Sequence, residues 1–167
     1  MRLLSRLPRD RSTPGQLYVL DDDDRVVAGP MRFYGKSDNQ AAREHGNWDE
    51  SLPDDPRNDG KRYGDHPYGE WTVDRVVPVP ASDARGRHSY GEFFIGVVPV
   101  MDPSDGVSDA ERRAMNGGNG IGLHGGDPAA NGGLRPTHGC GRTSNADNRV
   151  LAGYAAAGMR YTCEPLE

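Results

Sequence analysis

Gly69-Glu70-Trp71-Thr72-Val73-Asp74-Arg75-Val76-Val77 sets Trp71, Val73 and Val77 on one face of an extended chain and Glu70, Thr72 and Asp74 on the other. That is the period of two of a half-buried strand. Working outward, Glu92-Phe93-Phe94-Ile95-Gly96-Val97-Val98-Pro99-Val100 reads as another strand. Gln16-Leu17-Tyr18-Val19-Leu20 is a third, rich in β-formers. Asp21 to Asp24 follow it, and Arg25-Val26-Val27-Ala28 then leads to Met31-Arg32-Phe33-Tyr34, a hairpin or meander turning on the acidic tetrad. Four adjacent carboxylates lack the alternation and the distal Glu of a calcium loop, so the tetrad reads as a solvated turn.

The 167 residues suit one domain and are too few for two ordinary ones. The chain carries 23 Gly and 13 Pro, and no long stretch escapes them, which excludes coiled coils and helical bundles. No run approaches the roughly 20 apolar residues of a membrane helix. The formal net charge of −5 argues against a sequence-independent nucleic-acid binder. Arg2, Arg6, Arg9 and Arg11 read as a solvated arm; Leu3, Leu4 and Leu7 are too few for a secretory signal. Two cysteines, Cys140 and Cys163, make no disulfide framework, and the five His lack zinc-finger spacing. Neither a metal nor an organic cofactor is expected.

The expected organisation is a flexible arm over 1–15 and a single domain over 16–167 with a polar insertion at 35–67. Gly35-Lys36-Ser37 lacks the upstream Gly of a P-loop. The insertion holds a short helix from Asn39 to Glu44. Ser108-Asp109-Ala110-Glu111 is a capping box opening a second short helix that ends at Met115. Asn119 to His124 reads as a strand. Ser144 or Asn145 caps the clearest helix, with Val150, Leu151 and Tyr154 on one face. Gly158 should end that helix, and Met159 to Cys163 should make a closing strand. The fold is therefore mostly β, with one or two short helices.

Chemistry concentrates in Leu123-His124-Gly125-Gly126 and Thr137-His138-Gly139-Cys140-Gly141-Arg142. A thiolate is a nucleophile, an imidazole in reach can take the thiol proton, and a third group must orient that imidazole. A helix beginning near Ser144 would lower the pKa of the Cys140 thiol and present free N–H groups to an oxyanion. In a strand-like segment His138 and Cys140 point the same way, so His124 and His138 both remain candidates for the base.

Thr137-His138-Gly139-Cys140-Gly141-Arg142, with His124-Gly125 upstream, resembles the Ser/Thr-His-Gly-Cys-x-Arg/Asn signature of the L,D-transpeptidase (YkuD-like) catalytic domain. Asp65-His66-Pro67-Tyr68-Gly69-Glu70-Trp71-Thr72-Val73 resembles that family's Thr-Pro-x-Gly-x-aromatic-x-Val segment, and the hairpin and closing strand fall where the family has its first and last strands. The resemblance covers about residues 16 to 163. It implies a small curved sheet or β-sandwich and acyl transfer through a thioester on Cys140, acting on peptidoglycan stem peptides. The acceptor would be an amine, for cross-linking or exchange, or water, for trimming. It gives His124 the role of base, oriented by the Gly125 carbonyl, and makes His138, Gly139 and Cys140 the oxyanion pocket. Arg142 would brace the loop or meet a substrate carboxylate, with Thr137 and Asn119 beside the substrate. His66 stands where the family has Thr, and Gly141 replaces an aliphatic residue.

The family acts in the periplasm or cell wall. With no signal segment legible, the expectation is non-standard export, as for a toxin-like effector with a delivery or immunity protein as partner, or else a cytoplasmic recruit of the fold. The rival readings are a cysteine peptidase or amidase on another peptide, and a non-catalytic wall-binding module. Cys163 reads as a packing residue. His45, His66 and His88 read as surface or hydrogen-bonding residues, Trp71 as core and Trp48 as core or stacking platform. Asn116, Asn119, Asp127 and Asn131 read as turn residues, with Asn119 close enough to His124 to matter.

Overall fold

A computed structural model describes residues 1–9, 11–36, 65–100 and 121–166 of the chain. Among them lie eight strands: β1 (Arg2–Leu7), β2 (Gly15–Leu20), β3 (Val26–Phe33), β4 (Gly69–Pro78), β5 (Phe93–Pro99), β6 (Ile121–His124), β7 (Gly141–Arg142) and β8 (Arg160–Pro165). Two short helices accompany them, α1 (Ala84–Tyr90) and α2 (Asn145–Tyr154). The strands form one sheet in the order β3-β2-β1-β8-β4-β5-β6-β7. Its two ends meet where Tyr34 and Arg142 exchange backbone hydrogen bonds of 2.8 and 2.9 Å. The sheet is curved and nearly closed, mostly β as expected.

Curvature gives the sheet an inner face, on which Leu3, Leu17, Phe33, Val73, Ile95 and Leu123 are fully buried. Leu151 of α2 joins them. The hairpin β2–β3 turns at the acidic tetrad, where Asp21 Oδ1 accepts from the N–H of Asp23 and Arg25 at 2.9 Å each. Trp71 and Cys163 lie in the core.

The first fifteen residues depart from the expected arm. Arg2–Leu7 is β1, antiparallel to β2 and parallel to β8, with Leu3 and Leu7 wholly buried. A strand paired on both edges can bury both faces, so it loses the alternation that marks a strand in sequence. Arg11, placed with the solvated arginines, is buried. Its guanidinium lies 4.0 Å from the Tyr68 ring and donates to the carbonyls of Pro8, Arg9 and His66.

Helix α1 was not anticipated, because Gly86 sits inside it and weakens the helical signal. Asp83 caps it, Oδ1 accepting from the Gly86 N–H at 2.8 Å. Ser144 rather than Asn145 caps α2, which ends at Tyr154 with Ala155 as C-cap, well before Gly158. Gly158 instead donates its N–H to the Val73 carbonyl in the turn leading to β8. The expected helices at Asn39–Glu44 and Ser108–Met115, with Asn116, Asn119, Trp48 and His45, lie outside the described residues. No helix of the described residues is long and apolar enough to cross a membrane.

Placing Leu3 in a central strand makes its truncation costly. Leu3→Ala should lower unfolding free energy in a urea titration by about 2–5 kcal/mol. A residue in a flexible arm would give no measurable change.

Candidate active site

His124 is the last residue of β6, and the register of β6 against its neighbours determines its surroundings. In the parallel pairing with β7, Leu123 lies opposite Gly141 and His124 opposite Arg142. Residues two apart on a strand share a face, and paired residues on neighbouring strands share it too. His124 and Arg142 thus face the same side, and Cys140, immediately before β7, comes beside Gly122. The Gly122 N–H points to the Cys140 thiol.

The His124 ring is held on every side. Nδ1 lies 2.8 Å from the Gly125 carbonyl oxygen, Phe94 stacks on one face at 6.0 Å and Tyr90 meets it edge-on at 5.1 Å. A carbonyl only accepts, so Nδ1 carries the proton and Nε2 presents its lone pair. The same carbonyl accepts from Arg142 Nη1 at 2.9 Å. Gly125 donates its N–H to the Tyr90 carbonyl, Gly126 donates to Asn145 Oδ1 at 2.8 Å, and Thr143 donates to the His124 carbonyl. Burial, followed by the nearby Arg142 cation, lowers the His124 pKa to about 3. The imidazole is neutral at pH 7.

Cys140 is half-buried, and Cys163 is packed in the core. Desolvation pushes the Cys140 thiol up to about 11, against the smaller downward pulls of the Gly122 N–H and Arg142. The expected lowering by the start of α2 is therefore outweighed. With the thiol raised and the imidazole lowered, the resting pair is thiol and neutral imidazole, not thiolate and imidazolium.

His138 and Gly139 form a bend rather than a strand. Gly139 has φ 107°, a left-handed backbone that glycine accepts readily. The alternation that would put His138 beside Cys140 does not apply here. His138 is exposed, whereas His124 is buried. Thr137 is buried, with its hydroxyl donating to the Cys140 carbonyl and its N–H to the Lys36 carbonyl. The N–H groups of Gly139 and Cys140 have no acceptor among the described residues.

Arg142 is buried, and its bond to the Gly125 carbonyl gives it the bracing position. Gly141 has a steric reason: a Cβ there would stand 1.9 Å from Cζ of Phe33, so the Phe33 ring occupies the space of the missing aliphatic side chain. Sequence reading missed Tyr90, Phe94 and Asn145, whose roles depend on contacts across the sheet. It also took His66 for a surface or hydrogen-bonding residue. His66 is hydrogen-bonded and wholly buried, with its Nδ1 on the Gly139 carbonyl. His88 is exposed and bonds Asp127 and Arg135, and Asn131 holds the turn at Gly133. Among the described residues no three His, Cys, Asp or Glu side chains cluster as metal ligands.

The L,D-transpeptidase catalytic domain family (YkuD) matches residues 10–162, and the chain belongs to it. Among solved structures, that of Bdellovibrio bacteriovorus Bd1075 is similar at TM-score 0.52 and 12% identity, covering 96% of this chain and 47% of that one. The L,D-transpeptidase (residues 123–326) of Xylanimonas cellulosilytica aligns at TM-score 0.42 and 16% identity, over 97% and 60%. The chain thus spans about half of the first and three-fifths of the second. No curated protein matches significantly.

Two outcomes follow from these protonation states. Iodoacetamide alkylation of Cys140 should rise about tenfold per pH unit from pH 7 to 9 without a plateau, since only the thiolate reacts. Peptide mapping would show Cys163 unmodified until the protein unfolds. A plateau below pH 8 would mean a thiol of lowered pKa. The second outcome concerns acid. His66 and His124 are both buried with pKa values lowered to about 3, so the unfolded chain binds their protons first as pH falls. Their contribution is complete above the unfolded pKa of about 6.5 and is lost toward pH 3, at up to about 1.4 kcal/mol per pH unit for each ring. Urea titrations between pH 7 and 4 should show that slope, and His124→Gln should make it shallower.

Proposed function

We propose that the protein is a cysteine-dependent acyl transferase in which Cys140 forms a thioester with a peptidoglycan stem peptide. The observation that carries this reading is the neutral His124, its Nδ1–H committed to the Gly125 carbonyl, on a strand paired with the two residues that directly follow Cys140. As the sulfur attacks the substrate carbonyl, the thiol proton passes to Nε2, and the oxyanion is met by the N–H groups of Gly139 and Cys140. The carbon–nitrogen bond then breaks and the departing amine takes the proton from His124. The low pKa of that ring suits this step: once protonated in buried surroundings beside Arg142, it is a strong acid. An acceptor amine next attacks the thioester, gives its proton to His124 and restores the thiol. Water in the same place yields trimming. The reading places the protein's work at peptidoglycan, in the periplasm or cell wall, and requires neither a toxin-like delivery nor a partner protein.

Intact mass after incubation with a carbapenem tests it, because ring opening by the thiol leaves a stable adduct. Wild type should gain one adduct and Cys140→Ala none, while the variant keeps a cooperative melt. His124→Gln should slow acylation by about 10²–10⁴-fold and exposed His138→Gln by much less. A larger loss in His138→Gln would transfer the role of base to His138. New cross-links or shortened stems in purified peptidoglycan fragments would identify the acceptor.

A further inference from the structure

His66 lies outside the Cys140–His124 pair, yet it is the innermost member of a buried chain that ends at the nucleophile loop. Ser5 Oγ lies 2.8 Å from Tyr161 Oη, Tyr161 Oη 2.7 Å from His66 Nε2, and His66 Nδ1 3.0 Å from the Gly139 carbonyl oxygen. All three side chains are fully buried. The carbonyl can only accept, which fixes every proton in the series. His66 Nδ1–H donates to Gly139, Tyr161 O–H donates to His66 Nε2, and Ser5 O–H donates to Tyr161. The ring cannot swing away, because Phe33 meets it edge-on at 5.5 Å, Trp71 stacks at 6.3 Å and Tyr161 lies at 5.8 Å. Its backbone is held as well: the N–H donates to the Gly35 carbonyl at 2.8 Å and the carbonyl accepts from Arg11 Nη2 at 2.9 Å.

The Gly139 carbonyl and the Cys140 N–H belong to one trans peptide plane and point in opposite directions. Drawing that carbonyl inward to a buried ring turns the Cys140 N–H outward, where no described residue accepts it. We infer that His66 is a positioning residue: by holding the Gly139 carbonyl it aims the Cys140 N–H at the oxyanion of the acylation step. Tyr161 is part of the same device, since its O–H keeps the proton of His66 on Nδ1. The inference rests on the thioester reading above, and it concerns acylation alone. Alkylation of the sulfur by iodoacetamide forms no oxyanion and has no use for that N–H.

The test compares two rates at Cys140 in the full chain, acylation by a carbapenem and alkylation by iodoacetamide. In acylation the sulfur–carbon bond forms, the lactam carbon–nitrogen bond breaks and the ring nitrogen takes the thiol proton by way of His124. His66→Phe keeps a ring and removes both nitrogens. It should lower acylation about 10²-fold while alkylation stays within about threefold of wild type. His66→Asn, whose Nδ2 takes the place of Nδ1, should recover at least about tenfold of that loss. Tyr161→Phe should cut acylation by about tenfold by freeing the other tautomer, and it supplies the decision if the His66 variants do not melt cooperatively. Acylation of the variants at the wild-type rate, or an equal fall in both rates, overturns the inference. A wild-type protein that takes no adduct overturns the thioester reading itself.

Discussion

Two residues of parallel pairing, Leu123 with Gly141 and His124 with Arg142, join the strand that carries the imidazole to the segment that carries the thiol. So short a ladder holds little by itself, and the neighbouring contacts make up the difference. Tyr34 bridges Arg142 from the far end of the sheet, Thr143 returns a hydrogen bond to His124, and α2 starts directly behind. Closure of the sheet and alignment of the site are therefore one constraint. Phe33 takes part in both, pressing against Gly141 on one side and meeting the edge of His66 on the other.

The electrostatics follow from where this junction lies. Burial removes solvation from both His124 and His66, so each ring is neutral and held in one defined tautomer. Two backbone carbonyls select those tautomers, Gly125 for His124 and Gly139 for His66. Arg142 adds a cation beside the site that disfavours a resting imidazolium and favours negative charge on sulfur. Its own pKa is lowered to about 10, chiefly by burial, so it stays charged at pH 7.

Local patterns were sufficient for much of the fold. The turn chemistry at Asp21–Asp24 and the cap at Ser144 each depend on a few adjacent residues and are found where they were read, whereas the alternation at β4 holds at Trp71 and Val73 and breaks at the irregularity before Arg75, beyond which Val77 is exposed. Patterns failed where neighbours distant in sequence replaced solvent. β1 reads as an arm because pairing with β8, more than 150 residues away, hides its polar edges. Arg11 reads as solvated because its partners, Tyr68 and His66, lie more than 50 residues on.

The sequence by itself determined the mostly-β class and the family signature, and it singled out Cys140 and His124 as candidates, since these rest on residue type and spacing along one segment. Only the tertiary structure decided that His124 is buried and His138 exposed, that burial raises the thiol's pKa, and that His66 reaches the Gly139 carbonyl. Each of those depends on burial and on hydrogen bonds between segments up to 73 residues apart. Desolvation and long-range pairing are properties of the closed sheet, and no window of sequence contains them.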